Sequence, residues 1–391
     1  MTGTIGRRRF KSEQDRELAR IAVARFQSEG KTQAVIAKQV NVSQPEVSRL
    51  AAEAVKHGYL ARFPTLFKEK IPDEKWKESA HLYRTDKEFQ EKLASWTENI
   101  GKVNSTILRS ENKRLFCNEA AAHIWELLFS AKNVGLNWGR TPSMLLDGFK
   151  AIRSGFRGAK VPQLGFVPLC GDPIFLLNTE KIFSSASVLA GSYEQCINAD
   201  VRPSPSLNGV HAYVSDKGNR RKALMRHMRD LPGYRRIFGP GSHPKQEIPL
   251  ARQLDMVITG IGTIDLESRL EQDTKSGEFL KEILMQEDVT KEELDSIAFG
   301  EVGGVLIPRR NLKRKQLELY RYLAEGWTGI NEEQLLRLAQ TARDRGTPGI
   351  VALVFEPDLK KAEFTRELLS RGFINHLVAS SELIEKLKQL P

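Results

Sequence analysis

The fold of the N-terminal part of the chain is decided by residues 31–60, KTQAVIAKQVNVSQPEVSRLAAEAVKHGYL. Apolar residues at helical spacing predict a short helix that starts at Thr32 and is closed by a tight turn. Ser43 then has the character of a helix N-cap, because Pro45 lies in the first turn and Glu46 follows three residues after the cap. Two short helices joined in this way have helix-turn-helix spacing, so the stretch predicts a DNA-reading unit.

The capped end of the second helix is the part of this unit that we expect to enter the major groove of DNA. Arg49 could bind a guanine edge or a phosphate, and Gln44 could pair with adenine, whereas Glu46 is expected to serve as a cap. The predicted DNA-contacting residues of the unit are Thr32, Gln33, Ser43, Gln44, Pro45, Ser48 and Arg49. The alternative is a small three-helix unit that is used for protein contacts.

A basic arm precedes this unit, and its predicted DNA contacts are Arg7, Arg8 and Arg9. Such an arm could reach phosphates or the minor groove, or it could be only a disordered solubilising tail. A further helix with an apolar face is expected over residues 11–27, with Gly30 as its stop. Gly58 is expected to end the helix that Ser43 begins. We therefore assign residues 1–62 to a helix-turn-helix domain.

Composition and charge narrow the class of protein. The chain has 391 residues, which favours two or three domains, and its 40% hydrophobic and 28% charged residues exclude a disordered or collagen-like protein. Residues 1–62 carry 12 basic and 6 acidic side chains, and residues 213–252 carry 10 basic and 3 acidic side chains. A basic end on a balanced body favours a polyanionic partner. The basic block at residues 217–252 could be a second such surface or simply a solvated helix face.

Several features indicate a cytoplasmic protein. No apolar run is long enough to span a membrane. A secretory signal has an apolar core after its basic start, and no such core follows MTGTIGRRRF. The three cysteines, Cys117, Cys170 and Cys196, lack zinc-ligand spacing and are expected to be reduced core residues. No metal site, cofactor or membrane partner is predicted.

The remainder of the chain has an alternating pattern. Residues 63–112 look like a charged connector with one helix near residues 87–96, and they could carry contacts between subunits. Short apolar runs then alternate with helical segments, at residues 133–138, 164–169, 256–261, 302–307 and 350–355. This alternation predicts a mostly parallel, Rossmann-like sheet covered by helices. Residues 113–391 are therefore assigned to an α/β domain.

An open α/β sheet binds ligands at the carboxyl ends of its strands. The turn Gly139-Arg140-Thr141 follows one strand and precedes a helix, so its backbone N–H groups, its hydroxyl and its guanidinium could hold a phosphate. The other candidates for the same crevice are Gly171, Asp172, Ser184, Ser185, Gly262 and Thr263. The alternative is that these are ordinary strand-to-helix turns, which use the same residue types.

Residues 31–60 resemble the N-terminal domain of SorC-type sugar-binding transcriptional regulators, and further blocks match that family in order along the chain. These blocks are AAAHIWELLFSAKNVGLNWGRT at 120–141, DMVITGIGT at 255–263, FGEVGGVLI at 299–307, GINEEQLLRLA at 329–339 and KKAEFTRELLSRGFINHLVASSELIEKL at 360–387. Residues 61–110 and 203–252 match least. The ordered set of blocks is more specific than any one of them.

The resemblance implies a helix-turn-helix domain joined to an effector-binding and oligomerisation domain similar to sugar-phosphate isomerases. It also implies a homo-oligomer, a dimer or a tetramer, that binds a double-stranded DNA operator under the control of a phosphorylated sugar. Lys360 or Lys361 matches the lysine of the family's effector site, and Lys361 is the one that we assign to the site. Two departures weigh against a sugar phosphate: Gly304 stands where the family has an acidic residue, and residues 354–358, VFEPD, replace a glycine-rich phosphate loop.

Two other functions stay open from the sequence. The first is a DNA-binding regulator with a degenerate effector pocket, controlled by a protein partner or by its own assembly, as the changed residues 354–358 would allow. The second is a sugar-phosphate-processing enzyme, for which Asp172, Asp265 and Glu301 are available general bases. No His, Cys or Ser constellation with catalytic spacing accompanies them, so we predict a regulator and not an enzyme.

Overall fold

The computed structural model describes residues 10–29, 31–57, 59–60, 75, 85–155, 163–172, 185–198, 200, 204–215, 218–239, 248–264, 283 and 286–391. The chain divides into two units, Met1–Lys87 and Glu88–Pro391. Some sequence predictions lie outside the described residues, namely those at Arg7, Arg8, Arg9, Gly30, Gly58, Ser184 and Asp265.

Three helices make up most of the described part of the first unit. They are α1 (Glu13–Ser28), α2 (Gln33–Val40) and α3 (Gln44–Lys56). Each helix is capped by a hydroxyl side chain, since Ser12, Thr32 and Ser43 accept a backbone N–H from the first turn. Asn41 ends α2 in the left-handed conformation, with a φ of 58°. This geometry confirms the tight turn that was predicted between α2 and α3.

The three helices pack around a shared apolar core. The buried side chains of this core include Ala22, Phe26, Ile36, Val40, Val47 and Leu50. Burying one large apolar side chain stabilises a fold by ~1.5–3 kcal/mol, so these positions fix how the helices meet. Glu53 of α3 also holds α1 through ion pairs to Arg16 and Arg20. The hydrogen bond from Arg16 lowers the pKa of Glu53 against the opposing effect of burial.

The second unit contains a parallel sheet flanked by helices. Its helices are α4 (Lys87–Trp96), α5 (Lys113–Leu128), α6 (Arg140–Gly155), α7 (Ala186–Ile197), α8 (Gly218–Asp230), α9 (Pro232–Phe238), α10 (Lys291–Ile297), α11 (Arg314–Glu325), α12 (Glu332–Arg345), α13 (Leu359–Ser370) and α14 (Ser381–Gln389). Its strands are β1 (Asn104–Leu108), β2 (Asn133–Leu136), β3 (Gly165–Pro168), β4 (Met256–Thr263), β5 (Ala298–Val302), β6 (Val305–Pro308), β7 (Gly349–Val354) and β8 (His376–Ser380). The sheet has the order β1-β8-β7-β4-β2-β3, and these neighbours pair in parallel. The predicted α/β class is therefore confirmed.

The sheet is buried on both faces, as its central strand β7 illustrates. All six residues of β7 are buried. Ile350 and Ala352 belong to one apolar cluster, whereas Val351 and Leu353 belong to another, because successive side chains of a strand point to opposite faces. A strand that is covered by helices on both faces has a continuous run of apolar residues, which is why β7 could be recognised in the sequence.

The run at residues 302–307 was expected to be one strand, and that expectation is wrong. β5 ends at Val302, Gly303 and Gly304 turn the chain with φ values of 59° and 92°, and β6 returns from Val305. β5 also pairs antiparallel with the end of β4. The two glycines supply the left-handed backbone that a reversal needs, so the apolar run is a hairpin.

The α/β unit also begins before residue 113, where its start was predicted. β1 lies within the segment that was interpreted as a connector, and it pairs in parallel with β8. Phe89 and Leu93 of α4 are buried in the main apolar cluster. A few well-placed apolar side chains among many charges are enough to add an edge strand and a helix to the unit.

The part of the chain that the structure describes has no membrane-spanning helix, no metal-binding cluster and no disulfide. There, no helix combines the length and the apolar character that a membrane span requires. The same residues hold no group of three or more His, Cys, Asp or Glu side chains arranged for a metal ion. The three cysteines form no disulfide, and burial raises the pKa of the Cys117 thiol to about 12.

Candidate functional site

The leading end of α3 presents polar side chains to solvent. Ser43 Oγ accepts the backbone N–H of Glu46 at 3.3 Å, which fixes the first turn of the helix. The exposed residues of this end and of the start of α2 include Thr32, Gln33, Gln44, Pro45, Ser48 and Arg49. Ser48 donates its hydroxyl to the side-chain oxygen of Gln33 at 3.2 Å. This bond holds the start of α2 against the first turns of α3, so residues predicted from the motif lie together.

Arg49 and Glu46 form an ion pair that the sequence did not predict. Arg49 Nη1 lies 2.9 Å from Glu46 Oε2, and 64% of the Arg49 side chain is exposed. In a complete capping box the Glu46 carboxylate would also accept the Ser43 backbone N–H. The described start of α3 lacks that bond, and the Glu46 carboxylate pairs with Arg49 instead. An exposed pair of this kind is worth ~1 kcal/mol or less, so Arg49 can leave it for a base or a phosphate.

The second candidate site, the crevice predicted from the sequence, lies at the carboxyl ends of β2, β3, β4 and β7. Shortly after β2 the chain turns at Gly139, and α6 begins at Arg140. Gly139 has a φ of 132°, a conformation that side chains rarely adopt, so the turn needs a glycine there. Thr141 lies against β4, since a Cβ at Gly260 would stand 3.2 Å from its Oγ1. The predicted Gly139-Arg140-Thr141 turn therefore lies where the sequence placed it.

Asp172 follows β3 and adjoins the start of α7. Ser185, which caps α7, hydrogen-bonds the Asp172 carboxyl group. Burial raises the pKa of Asp172, and the Ser185 bond and the nearby His211 oppose that rise. Among the described residues, Asp172 Oδ1 has no hydrogen-bond partner, so it is available to a ligand. Gly171 is instead required by packing, since a Cβ there would come 2.3 Å from the Val210 carbonyl oxygen.

Asn137 is a candidate site residue that the sequence analysis did not identify. It is only 1% exposed, and neither its amide oxygen nor its amide nitrogen has a hydrogen-bond partner within the described ranges. It lies just after β2 against Gly303, where a Cβ would come 1.9 Å from its Nδ2. A buried polar group without a partner costs ~1–3 kcal/mol, which a ligand that bonds it would recover. The only signal in the sequence was a lone asparagine between an apolar strand and a Trp-Gly turn.

Glu301 on β5 places a buried carboxyl group in the crevice beside Gly262. A Cβ at Gly262 would come 2.2 Å from Glu301 Oε1, so the predicted glycine makes room for this carboxyl group. Glu301 accepts the backbone N–H of Gly304. Burial raises the pKa of Glu301 to about 7, although that bond and the charge of Lys361 act to lower it. Near neutral pH the group is partly protonated, so it can donate as well as accept a hydrogen bond.

Lys361 lies at the start of α13, but its charge is already paired. Its side chain is 3% exposed, and its Nζ donates to Glu356 Oε2 at 2.8 Å. Lys113 of α5 donates to the other oxygen of Glu356. Burial alone would raise the pKa of Glu356, but the charges of Lys361 and Lys113 hold it well below its usual range. The changed loop at residues 354–358 thus puts a carboxylate between two lysines.

Gly304, where the resemblance predicts an acidic residue, packs against an indole ring. A Cβ at this position would come 2.1 Å from the ring of Trp327. Trp327 Nε1 donates to the Ile330 carbonyl oxygen at 2.7 Å, which holds the ring in place. The indole therefore fills the space that a side chain at position 304 would need.

The described part of the basic block at residues 217–252 lies mainly on α8 and α9. Its exposed basic side chains include Arg220, Lys222, Arg226, Arg229, Arg235 and Arg236. Arg221 is buried instead, because it pairs with Glu287 and lies 4.4 Å from the centre of the Tyr322 ring. One arginine of the block is thus structural, and a polyanion-binding role for the others stays a prediction.

Comparisons with known proteins identify the fold. No family model matches the chain, and no curated protein matches it. The full-length sorbitol operon regulator SorC from Klebsiella pneumoniae is similar in structure, with a TM-score of 0.52, 15% identity, and coverage of 97% of this chain and 100% of that one. A transcriptional regulator from Streptococcus pneumoniae TIGR4 has a TM-score of 0.50 and 16% identity, over 76% of this chain and 96% of that one. The chain shares their fold, as the sequence predicted.

Proposed function

We propose that the chain is a sequence-specific DNA-binding transcriptional regulator of the SorC type, controlled by a small sugar-like metabolite. The observation that carries this proposal is the capped leading end of α3, which offers Gln44, Ser48 and Arg49 to solvent on a helix-turn-helix unit. Amide, hydroxyl and guanidinium groups of this kind read base edges in the major groove. The fold shared with two transcriptional regulators supports the same function.

The charge of the N-terminal segment supports DNA as the partner. Residues 1–62 carry 12 basic and 6 acidic side chains, and Arg7, Arg8 and Arg9 are among the basic ones. Basic side chains hold a protein on the phosphate backbone, while base contacts supply specificity. Operators commonly pair two helix-turn-helix units across a two-fold axis, so the proposed active form is a homo-oligomer, a dimer or a tetramer.

The α/β unit is proposed to bind the metabolite at the carboxyl ends of its strands. Buried polar groups without a partner in the described part of the chain, on Asn137 and Asp172, support a ligand there. Open α/β sheets bind ligands at this edge. The turn at residues 139–141, together with Ser184, Ser185 and Lys361, completes the proposed site. A ligand that prefers one conformation of the oligomer would change DNA affinity by its differential affinity for the two states.

The test is a fluorescence anisotropy titration of the full chain against the DNA upstream of its own gene. We expect tight, salt-sensitive binding that Arg49→Ala weakens by ~1–3 kcal/mol, as the loss of a base contact would. Arg337→Ala is the matched control, since that arginine is 65% exposed and also paired with a glutamate on its own helix. Specific binding that survives deletion of residues 1–62 would refute the proposal.

A second candidate is a regulator that binds DNA without a small ligand. The pairing of Glu356 with Lys113 and Lys361 favours it, because this cluster already occupies part of the crevice. Thermal melting of the full chain against a panel of sugars and sugar phosphates separates the two candidates. A saturable rise of the melting temperature with any of them rules out the second.

A further inference from the structure

Two lysines from different elements converge on one carboxylate in the crevice. Lys113 of α5 donates to Glu356 Oε1, and Lys361 of α13 donates to Glu356 Oε2 at 2.8 Å. Both oxygens of Glu356 are therefore engaged, and the Lys361 side chain is almost fully buried. Without Glu356, two ammonium groups would stand here with no carboxylate between them, so this position needs an anion.

The cluster lies at the carboxyl end of β7, because Glu356 follows that strand closely and Lys361 stands in the first turn of α13. The charge of Lys361 also lowers the pKa of Glu301, which lies beside the end of β4. The charge of Glu356 acts on Cys117, whose Sγ lies 4.0 Å from the carbonyl oxygen of Thr141 in the first turn of α6. The Glu356 side chain is still 20% exposed, so a small anion from solvent can reach the position it occupies.

We propose that Glu356 fills, from within the chain, an anion-binding position formed by Lys113, Lys361 and the start of α13, and that the metabolite of the crevice is an uncharged polyhydroxyl compound. Two ammonium groups beside a helix start are what a phosphate site needs. Here the Glu356 carboxylate takes the place of the phosphate, and Asp358 adds a second carboxylate as the helix N-cap. The inference rests on the proposed function, because it names the ligand class of the same site.

The remaining polar groups of the crevice suit hydroxyl groups better than phosphate oxygens. A phosphate oxygen chiefly accepts hydrogen bonds, so it would leave the Asn137 amide oxygen and Asp172 Oδ1 without donors. A hydroxyl group both donates and accepts. A polyhydroxyl compound can therefore bond the Asn137 nitrogen, the Asn137 oxygen and the available Asp172 oxygen, which are among the buried polar atoms that have no partner in the described residues.

Chemical rescue tests the anion position. Glu356→Ala leaves two ammonium groups unpaired, so we expect the melting temperature of the full chain to fall by roughly 5–10 °C. Inorganic phosphate should then raise the melting temperature of the variant saturably, and by much more than chloride does at equal ionic strength. Phosphate should leave the melting temperature of the wild type unchanged. Adding Lys361→Met to the variant should remove the phosphate effect. If the alanine variant does not fold, Glu356→Gln leaves the same excess of positive charge and has the same readout.

Glu332→Ala is the matched control for the rescue. The Glu332 side chain is 26% exposed and pairs with Arg371, and it accepts the Tyr320 hydroxyl at 2.8 Å, so a single cation faces it among the described residues. We expect this variant to lose stability without any recovery specific to phosphate. The proposal is overturned if phosphate raises the melting temperatures of Glu356→Ala and Glu332→Ala equally. It is also overturned if phosphate raises the melting temperature of the wild type and Lys361→Met abolishes that rise.

Paired probes test the ligand class on the full chain. The probes are pentoses, hexoses and hexitols, each beside its monophosphate. We expect an uncharged member to raise the melting temperature, its phosphorylated partner to act at least ~10-fold more weakly, and Asn137→Ala to abolish the response. A response to phosphorylated members alone overturns the proposal. DNA binding of the same preparation without probes is measured in parallel, because its absence refutes the proposed function and leaves the outcome of the phosphate rescue intact.

Discussion

Glu301 is a buried carboxyl group whose ionisation opposes folding. Burial raises its pKa from 4.5 to about 7, so the folded chain holds this proton more tightly than the unfolded chain does. The stability that this group contributes is full below about pH 4.5 and is lost as the pH rises through about 7, by about 3 kcal/mol at most. We predict that Glu301→Gln is more stable than the wild type at pH 8 and gains almost nothing at pH 4. Urea unfolding at the two pH values measures the difference.

Glu333→Gln is the control for this pH effect, because the Glu333 side chain is 76% exposed on α12. Its free energy of unfolding should follow that of the wild type at both pH values. The retained oxygen of a glutamine at position 301 still accepts the Gly304 N–H, so the comparison isolates ionisation. Equal stability of Glu301→Gln and wild type at pH 8 would contradict the predicted cost of a buried charge.

The site residues that belong to a local motif could be predicted from the sequence, and those that depend on packing could not. The Gly139-Arg140-Thr141 turn follows an apolar run and starts a helix, which is a pattern within one segment. Asn137 matters because both of its amide atoms are buried without partners in the described chain, a property that no neighbouring residue reveals. Glu301 faces the crevice only because β5 pairs with β4.

At the scale of one helix, Ser43 controls the first turn of α3, which is the proposed DNA-reading end. Ser43→Ala removes the acceptor for the Glu46 N–H, a loss of about 1 kcal/mol. We predict roughly fivefold faster amide hydrogen exchange in that turn and weaker specific DNA binding, because the turn must be ordered to fit the groove. Ser43→Thr keeps the cap oxygen, so it should change neither the amide hydrogen exchange of that turn nor the specific DNA binding. Exchange that is unchanged in Ser43→Ala would show that the buried Val47 and Leu50 hold the turn without the cap.

Helix starts could be predicted more reliably than strand partners because a cap is a local interaction. Thr32 and Ser43 each accept a backbone N–H three residues ahead, and each stands at the predicted start. The structure of the apolar run at residues 302–307 was harder to predict, since the spacing of apolar residues is similar in a single strand and in a tight hairpin. Gly303 and Gly304 were the signal of a reversal, and the positive φ that they adopt is the physical reason for it.

At the scale of the whole molecule, the start of the α/β unit is set by contacts between residues far apart in the sequence. Asn104 in β1 pairs with His376 in β8, across 272 positions of the chain. No pattern near residue 104 predicts that partner, because the strand is short and three of its five residues are polar. The neighbouring charged segment therefore looked like a connector, although Phe89 within it is fully buried.

These long-range contacts predict where the chain can be cut. A fragment of residues 85–391 should fold, because it keeps α4 and β1, whereas a fragment of residues 113–391 loses both and leaves β8 as an open edge. Phe89, Leu93 and Leu108 would no longer cover their partners. At ~1.5–3 kcal/mol for each side chain, the loss of roughly 5–9 kcal/mol rivals the whole stability of an ordinary domain. Thermal melting should give a cooperative transition for the longer fragment alone, and equal melting temperatures would mean that the unit starts near residue 113.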